Sequence, residues 1–156
     1  MGENNLNDVS IKFAEPKDEA FIKNLLTEAD LPHEDIADHL HHFLLAKHED
    51  HLVGVVGLEV YGEFGLLRSL AVAAPHRGKG VGKMLYENLM AYARLQGVIE
   101  LYLLTTTAEA IFARFGFIKV DRNSVPEPIQ STREFQSLCP STAVCMTKKI
   151  QEEERS

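Results

Sequence analysis

The stretch Leu66-Leu67-Arg68-Ser69-Leu70-Ala71-Val72-Ala73-Ala74-Pro75-His76-Arg77-Gly78-Lys79-Gly80-Val81-Gly82 joins an apolar run to a basic, glycine-rich turn. Leu66 to Val72 has the composition of a buried strand, and Ala74-Pro75 ends it because proline brings no amide to a ladder. From about Gly80 to Gln96 the apolar residues Val81, Met84, Leu85, Leu89, Tyr92 and Leu95 return at helical spacing, with Gly97 as the stop. Gly78, Gly80 and Gly82 therefore stand where a strand gives way to a helix. Glycine there lets an anion approach the backbone, the first amides of a helix have no intrahelical partner, and the helix dipole adds partial positive charge. Arg77 and Lys79 add full charges.

Spacing separates the kinds of phosphate loop. A Walker loop needs four residues between its glycines and then Lys-Ser or Lys-Thr. Here three residues separate Gly78 from Gly82, and Met84 follows Lys83. The dinucleotide fingerprint fails as well, since after Gly78 and Gly80 its third glycine would fall at Lys83.

Working outward, Val9 to Phe13 is a short strand, and Pro16 with Asp18 and Glu19 starts a helix that carries Phe21, Ile22, Leu25 and Leu26. A His-rich helical segment follows over about Glu34 to His41. Phe43 to Lys47 and Leu52 to Tyr61 form an antiparallel hairpin across the charged turn Glu49-Asp50. Beyond Gly97, Glu100 to Thr105 reads as a buried strand, Ala108 to Phe115 as a short helix stopped by Gly116, and Phe117 to Val120 as another strand. A long polar connection, Asp121 to Ser141, precedes a last strand at Ala143 to Lys148, and connections of that length usually carry a function or a helix of their own. The class is mixed α/β, read as a single domain with frayed ends at about 1–7 and 151–156.

At 156 residues, 45% of them hydrophobic, the chain can bury one continuous core. A formal charge of −7 excludes a nonspecific nucleic-acid binder, which needs a basic surface. No apolar run approaches the ~20 residues that span a bilayer, and Met1 to Ser10 lacks the apolar core of a signal peptide, so a cytoplasmic protein is expected. That setting keeps Cys139 and Cys145 reduced.

The spacing Arg-x-x-Gly-x-Gly behind the strand Leu66 to Val72, opening a long amphipathic helix, resembles the GCN5-related N-acetyltransferase (GNAT) superfamily. The resemblance runs from the first hairpin to Phe115-Gly116-Phe117. It implies a mixed, mostly antiparallel sheet of about six to seven strands flanked by about four helices, with acetyl-CoA as cosubstrate. Main-chain groups of Leu70, Ala71 and Val72 would pair with the pantetheine arm, and the amides of Arg77, Gly78, Lys79, Gly80, Val81 and Gly82 would bind the pyrophosphate. Thr105 stands where the superfamily often has asparagine, and Phe112 where a tyrosine is common. The stretches Leu101 to Thr107, Arg133-Glu134-Phe135 to Leu138-Cys139-Pro140 and Ala143 to Met146 are similar to acetyltransferases associated with arsenic resistance. Tyr102 to Pro126 is similar to the acetyltransferase domain of N-acetylglutamate synthase.

Acetyl transfer to an amine needs a neutral amine, a donor for the developing oxyanion and a thiolate that can depart. A widened ladder near Leu70 to Val72 would free amides to polarise the thioester carbonyl. Glu59, behind the apolar run Val55, Val56 and Leu58, is the candidate base if burial raises its pKa; otherwise it is a solvated strand end. Glu63 is a weaker candidate. Phe112 removes the usual donor to sulfur, yet thiols with pKa near ~8.5 leave without strong acid help. Arg68 alternates with Leu66 and Leu70 and either binds an acceptor carboxylate or pairs with an internal acid. Arg133 and Arg122 carry a weaker version of the same idea. His39 and His42 have a chelating spacing, but nothing completes a metal pattern and no metal is expected. Cys139 and Cys145 either bind a thiophilic arsenical or are simply buried. Expected partners are a small amine acceptor, amino-acid-like acceptors included, and a second copy in a homodimer, with neither nucleic acid nor membrane. The reading opposed to an enzyme is an acyl-CoA sensor without turnover.

Overall fold

The computed structural model describes residues 8–138 and 142–150. Its seven strands are β1 (Val9–Phe13), β2 (Phe43–His48), β3 (His51–Tyr61), β4 (Phe64–Val72), β5 (Glu100–Thr105), β6 (Ile118–Lys119) and β7 (Val144–Lys149). They form one mixed sheet in the order β1-β2-β3-β4-β5-β7-β6. β1 with β2, β2 with β3, β5 with β7 and β6 with β7 are antiparallel, while β4 and β5 are parallel over Phe64–Leu66. The α-helices are α1 (Glu19–Glu28), α2 (Val81–Leu95), α3 (Glu109–Arg114) and α4 (Glu127–Gln130). Sheet and helices match the expected GNAT-type α/β architecture.

By compactness the chain divides into two units. One holds the described residues up to Leu58 together with Ser69–Ala91; the other holds Glu59–Arg68 and the described residues from Tyr92 onward. In the first, Ile22, Leu25, Leu26, Ile36, Leu40, Phe43, Leu45, Val55 and Ala71 make the apolar core. The 3-10 turn Pro16–Asp18 that leads into α1 opens with a capping box in which the Glu15 amide donates to Asp18 Oδ2 at 2.8 Å, with Pro16 at its first position. Phe21, expected on its apolar face, is 64% exposed. The His-rich helical segment is a 3-10 helix, Ile36–His42.

The hairpin β2–β3 turns at Glu49 and Asp50, with φ of 54° and 68°, the left-handed pair that a two-residue connection requires. Across it Phe43 faces Gly57 in register, and its ring lies over the glycine: a Cβ there would sit 2.5 Å from Cζ. Gly57→Ala is therefore expected to destabilise the fold by about 1–3 kcal/mol through overpacking. A urea midpoint equal to that of the unaltered chain would refute this.

In the second unit, Leu66, Tyr102, Val125, Ile129, Phe135 and Cys145 form the core. The 121–138 connection is not a bare loop. It carries a 3-10 turn at Arg122–Ser124, helix α4 and a π-helical turn at Glu134–Leu138. α2 ends as expected. Gly97 at φ 88° lets the Val98 amide reach back to the Ala93 carbonyl at 3.0 Å. No helix among the described residues is long and apolar enough to cross a membrane.

Candidate active site

Strand β4 is continuous over Phe64–Val72 but carries one irregular residue. Ser69 has φ 62°, a left-handed conformation that a non-glycine residue rarely adopts inside a strand, and it marks an irregularity of the bulge kind. Leu66, Leu67, Arg68 and Ser69 are all buried, so both faces of the strand are covered before Leu70, which is half-buried. Downstream of Ser69 lie the main-chain groups of Leu70, Ala71 and Val72. The Val72 carbonyl accepts a 2.8 Å hydrogen bond from Arg77 Nε, so the Arg77 side chain folds back along the strand end.

Gly78 and Gly80 have φ of 79° and 87°, and α2 begins at Val81. A Cβ at Gly78 would meet nothing within 4 Å, so backbone conformation rather than space calls for glycine there. The Met84 amide bonds to the Gly80 carbonyl at 3.0 Å, and the amides ahead of it belong to the first, unpartnered turn of α2. His76, in the 3-10 turn before the loop, lies 5.8 Å from His48 between ring centroids. Burial pushes the His76 pKa down, and His48 and Lys79 push it further.

In the second unit Glu59 and Arg68 meet. Arg68 Nη1 lies 2.7 Å from Glu59 Oε2, with both side chains buried, and Arg68 Nε lies 3.3 Å from Glu134 Oε2. The Tyr61 hydroxyl donates to Glu59 Oε1. Glu59 is thus no solvated strand end, and of the two readings of Arg68 the structure realises pairing with internal acids. Glu63 is exposed, and its carbonyl receives the Ile99 amide. Arg133 is exposed. Arg122 is held within its own unit, Nη2 donating to the Phe135 carbonyl at 3.1 Å and the guanidinium lying 5.5 Å from the Phe135 ring centre.

Thr105 accepts the Ala108 amide at 2.9 Å, a side-chain turn that leads into α3. Phe112 is buried, edge-on to Phe115 and Phe117 at 6.1 and 5.6 Å. An aromatic cluster explains a phenyl ring at this position without any role in proton transfer. Cys145 is 3% exposed, and burial pushes its pKa up to about 11, which disfavours the thiolate. Cys139 lies outside the described residues.

Sequence reasoning gave no role to Glu134, Tyr61 or Ser69. Glu134 carried no clear signal, since it sits between a charged residue, Arg133, and Phe135 in a polar stretch. Nothing in the string of letters announces a left-handed serine.

A family model described as Acetyltransferase (GNAT) family matches residues 8–117. An uncharacterized N-acetyltransferase of Chlorobaculum tepidum is 29% identical over 113 residues, 72% of this chain and 70% of its own length. An amino-acid acetyltransferase of Neisseria meningitidis is 29% identical over 96 residues, covering 60% of this chain and 22% of the relative. Among solved structures, N-acetylglutamate synthase from Neisseria gonorrhoeae, complexed with coenzyme A and N-acetyl-glutamate, superposes with a TM-score of 0.80 at 23% identity. That superposition covers 92% of this chain and 35% of the synthase. The chain thus spans well under half of either amino-acid-acetylating protein.

Proposed function

The chain belongs to the acetyltransferase (GNAT) family, and from that premise we propose that it moves acetyl from acetyl-CoA to the amine of a small acceptor by direct attack in a ternary complex. The observation that carries this reading is strand β4, with its left-handed Ser69, running into a loop with two left-handed glycines at the start of α2. The amides of Arg77 to Gly82 bind the pyrophosphate. Main-chain groups of Val72, Ala71 and Leu70 take the pantetheine arm, and the Leu70 amide polarises the thioester carbonyl.

The acceptor nitrogen attacks the thioester carbon, and its proton passes to Glu59 through ordered water and the Tyr61 hydroxyl, which already donates to Glu59. Collapse of the tetrahedral intermediate breaks the carbon–sulfur bond. The sulfur leaves as thiolate, as its pKa near ~8.5 allows, with no help from Phe112. Thr105 serves by shaping the turn before α3 rather than by donating a proton.

An amino-acid-like acceptor is supported by the amino-acid acetyltransferase among the similar proteins, not by Arg68, whose charge Glu59 and Glu134 already meet. The exposed Arg133 is the remaining candidate for an acceptor carboxylate. The arsenic-resistance resemblance is carried by the C-terminal stretches and needs no thiol chemistry from Cys145. On this reading residues 1–156 act as one acetyltransferase domain.

Release of free CoA from acetyl-CoA, measured across a panel of amino compounds, tests the proposal. Thiol that appears only with acceptor is the expected result. Binding of acetyl-CoA with no acceptor-dependent thiol under any condition would sink it in favour of a sensor.

A further inference from the structure

Arg68 is gripped from two directions by acids far apart in the sequence. Glu59 Oε2 takes Nη1 at 2.7 Å, and Glu134 Oε2 takes Nε at 3.3 Å, around a guanidinium with no exposed surface. Glu134 opens the π-helical turn, a form of backbone often found at functional sites.

The segment that brings Glu134 does not need this ion pair to stay attached. Val125, Ile129 and Phe135 pack with Leu66, Tyr102 and Cys145. The Thr132 hydroxyl donates to the Ile129 carbonyl at 2.8 Å and accepts the Phe135 amide at 3.3 Å. Arg122 holds the Phe135 carbonyl. A buried ion pair is in general a weak way to stabilise a fold, because desolvation offsets the attraction, and an apolar residue of similar size does as well or better. Geometry is what a second carboxylate adds. The acid on Nε adds a second point of attachment to the one on Nη1, and two attachments on different nitrogens restrain the plane of the guanidinium.

We propose that Glu134 is a positioning residue for acetyl transfer: by fixing the Arg68 plane it fixes the Glu59 carboxylate, whose other oxygen holds the Tyr61 hydroxyl. This rests on the reading of Glu59 as base. It gives the 121–138 connection a purpose, which is to carry one carboxylate to the strand from which the reaction is run. The pyrophosphate loop and the Leu70 amide are not in this chain of contacts, so cofactor binding is not expected to depend on it.

The test uses the full chain. Glu134→Ala is expected to lower kcat at saturating acceptor by about 10- to 100-fold, with acetyl-CoA affinity held within about twofold. Glu134→Gln, which keeps an oxygen for the Nε proton, is expected to recover most of the loss. Exchange of the Arg68 Nε proton with solvent, followed by 15N NMR without acceptor, should accelerate at least ~tenfold in Glu134→Ala and slow again in Glu134→Gln. Unchanged kcat in folded Glu134→Ala overturns the proposal, and so does loss of acetyl-CoA affinity in step with kcat, which would mean general damage. Should Glu134→Ala not fold, Glu134→Asp, one methylene too short for Nε, makes the same comparison. A wild-type chain that transfers no acetyl overturns the acetyl-transfer reading instead, and the exchange rates then decide whether Glu134 fixes Arg68.

Discussion

Arg68→Ala lowers the free energy of unfolding by about 3–5 kcal/mol, read as a fall in the urea midpoint with little change in slope. The size of the effect comes from what is left behind. Removing the guanidinium strips Glu59 and Glu134 of the positive charge between them, and at 1% and 3% exposure neither carboxylate can turn to water for compensation. Protonation of one or both acids is the cheaper outcome, so the loss should shrink as the pH is lowered and the carboxylates become neutral. A companion variant isolates the cause. Arg68→Met combined with Glu59→Gln and Glu134→Gln removes all three charges and keeps the volume, and should recover much of the lost stability. Equal damage in the single and triple variants would mean that packing, not charge, accounts for the loss.

Gly80→Val abolishes cofactor binding while the fold survives. At φ 87° a β-branched side chain is a steric outlier, so valine must pull the loop toward negative φ and turn its amides away from the anion. Gly80 is exposed and precedes α2, so this movement disturbs no core contact. Acetyl-CoA affinity, measured by calorimetry, should fall at least ~100-fold, or ~3 kcal/mol, with the urea midpoint nearly unchanged. Gly78→Ala, at φ 79° with open space around the added methyl, should fall between the two. Unaltered affinity in Gly80→Val would remove the loop from the site altogether.

The parts of the molecule that were legible in the sequence are those set by local rules. Glycines at left-handed positions, an amphipathic helix with a glycine stop, and apolar strands each announce themselves within a dozen residues. α2, β5 and the hairpin β2–β3 fall within one or two residues of the positions expected. The His-rich segment is helical as expected, but histidines at helical spacing do not announce that its hydrogen bonding is of the 3-10 kind. Arg68 and Glu59 were each singled out, but not as partners, because nine residues of chain and a turn separate them and their meeting depends on tertiary structure. Glu134 was beyond reach for the same reason, 66 residues downstream of Arg68, if one counts from the numbering. The cofactor loop reads from the letters because backbone amides do the binding. The acceptor side does not, because side chains from distant segments do it.

The left-handed Ser69 sets the phase of everything that follows it on β4. A strand alternates its amides and side chains with a period of two, so a single irregular residue decides which groups of Leu70, Ala71 and Val72 face which way. Deleting Ser69 would leave the composition of the strand almost untouched and yet exchange the inward and outward sets downstream. One serine thus acts as a punctuation mark, and the meaning of the three residues after it depends on its being there.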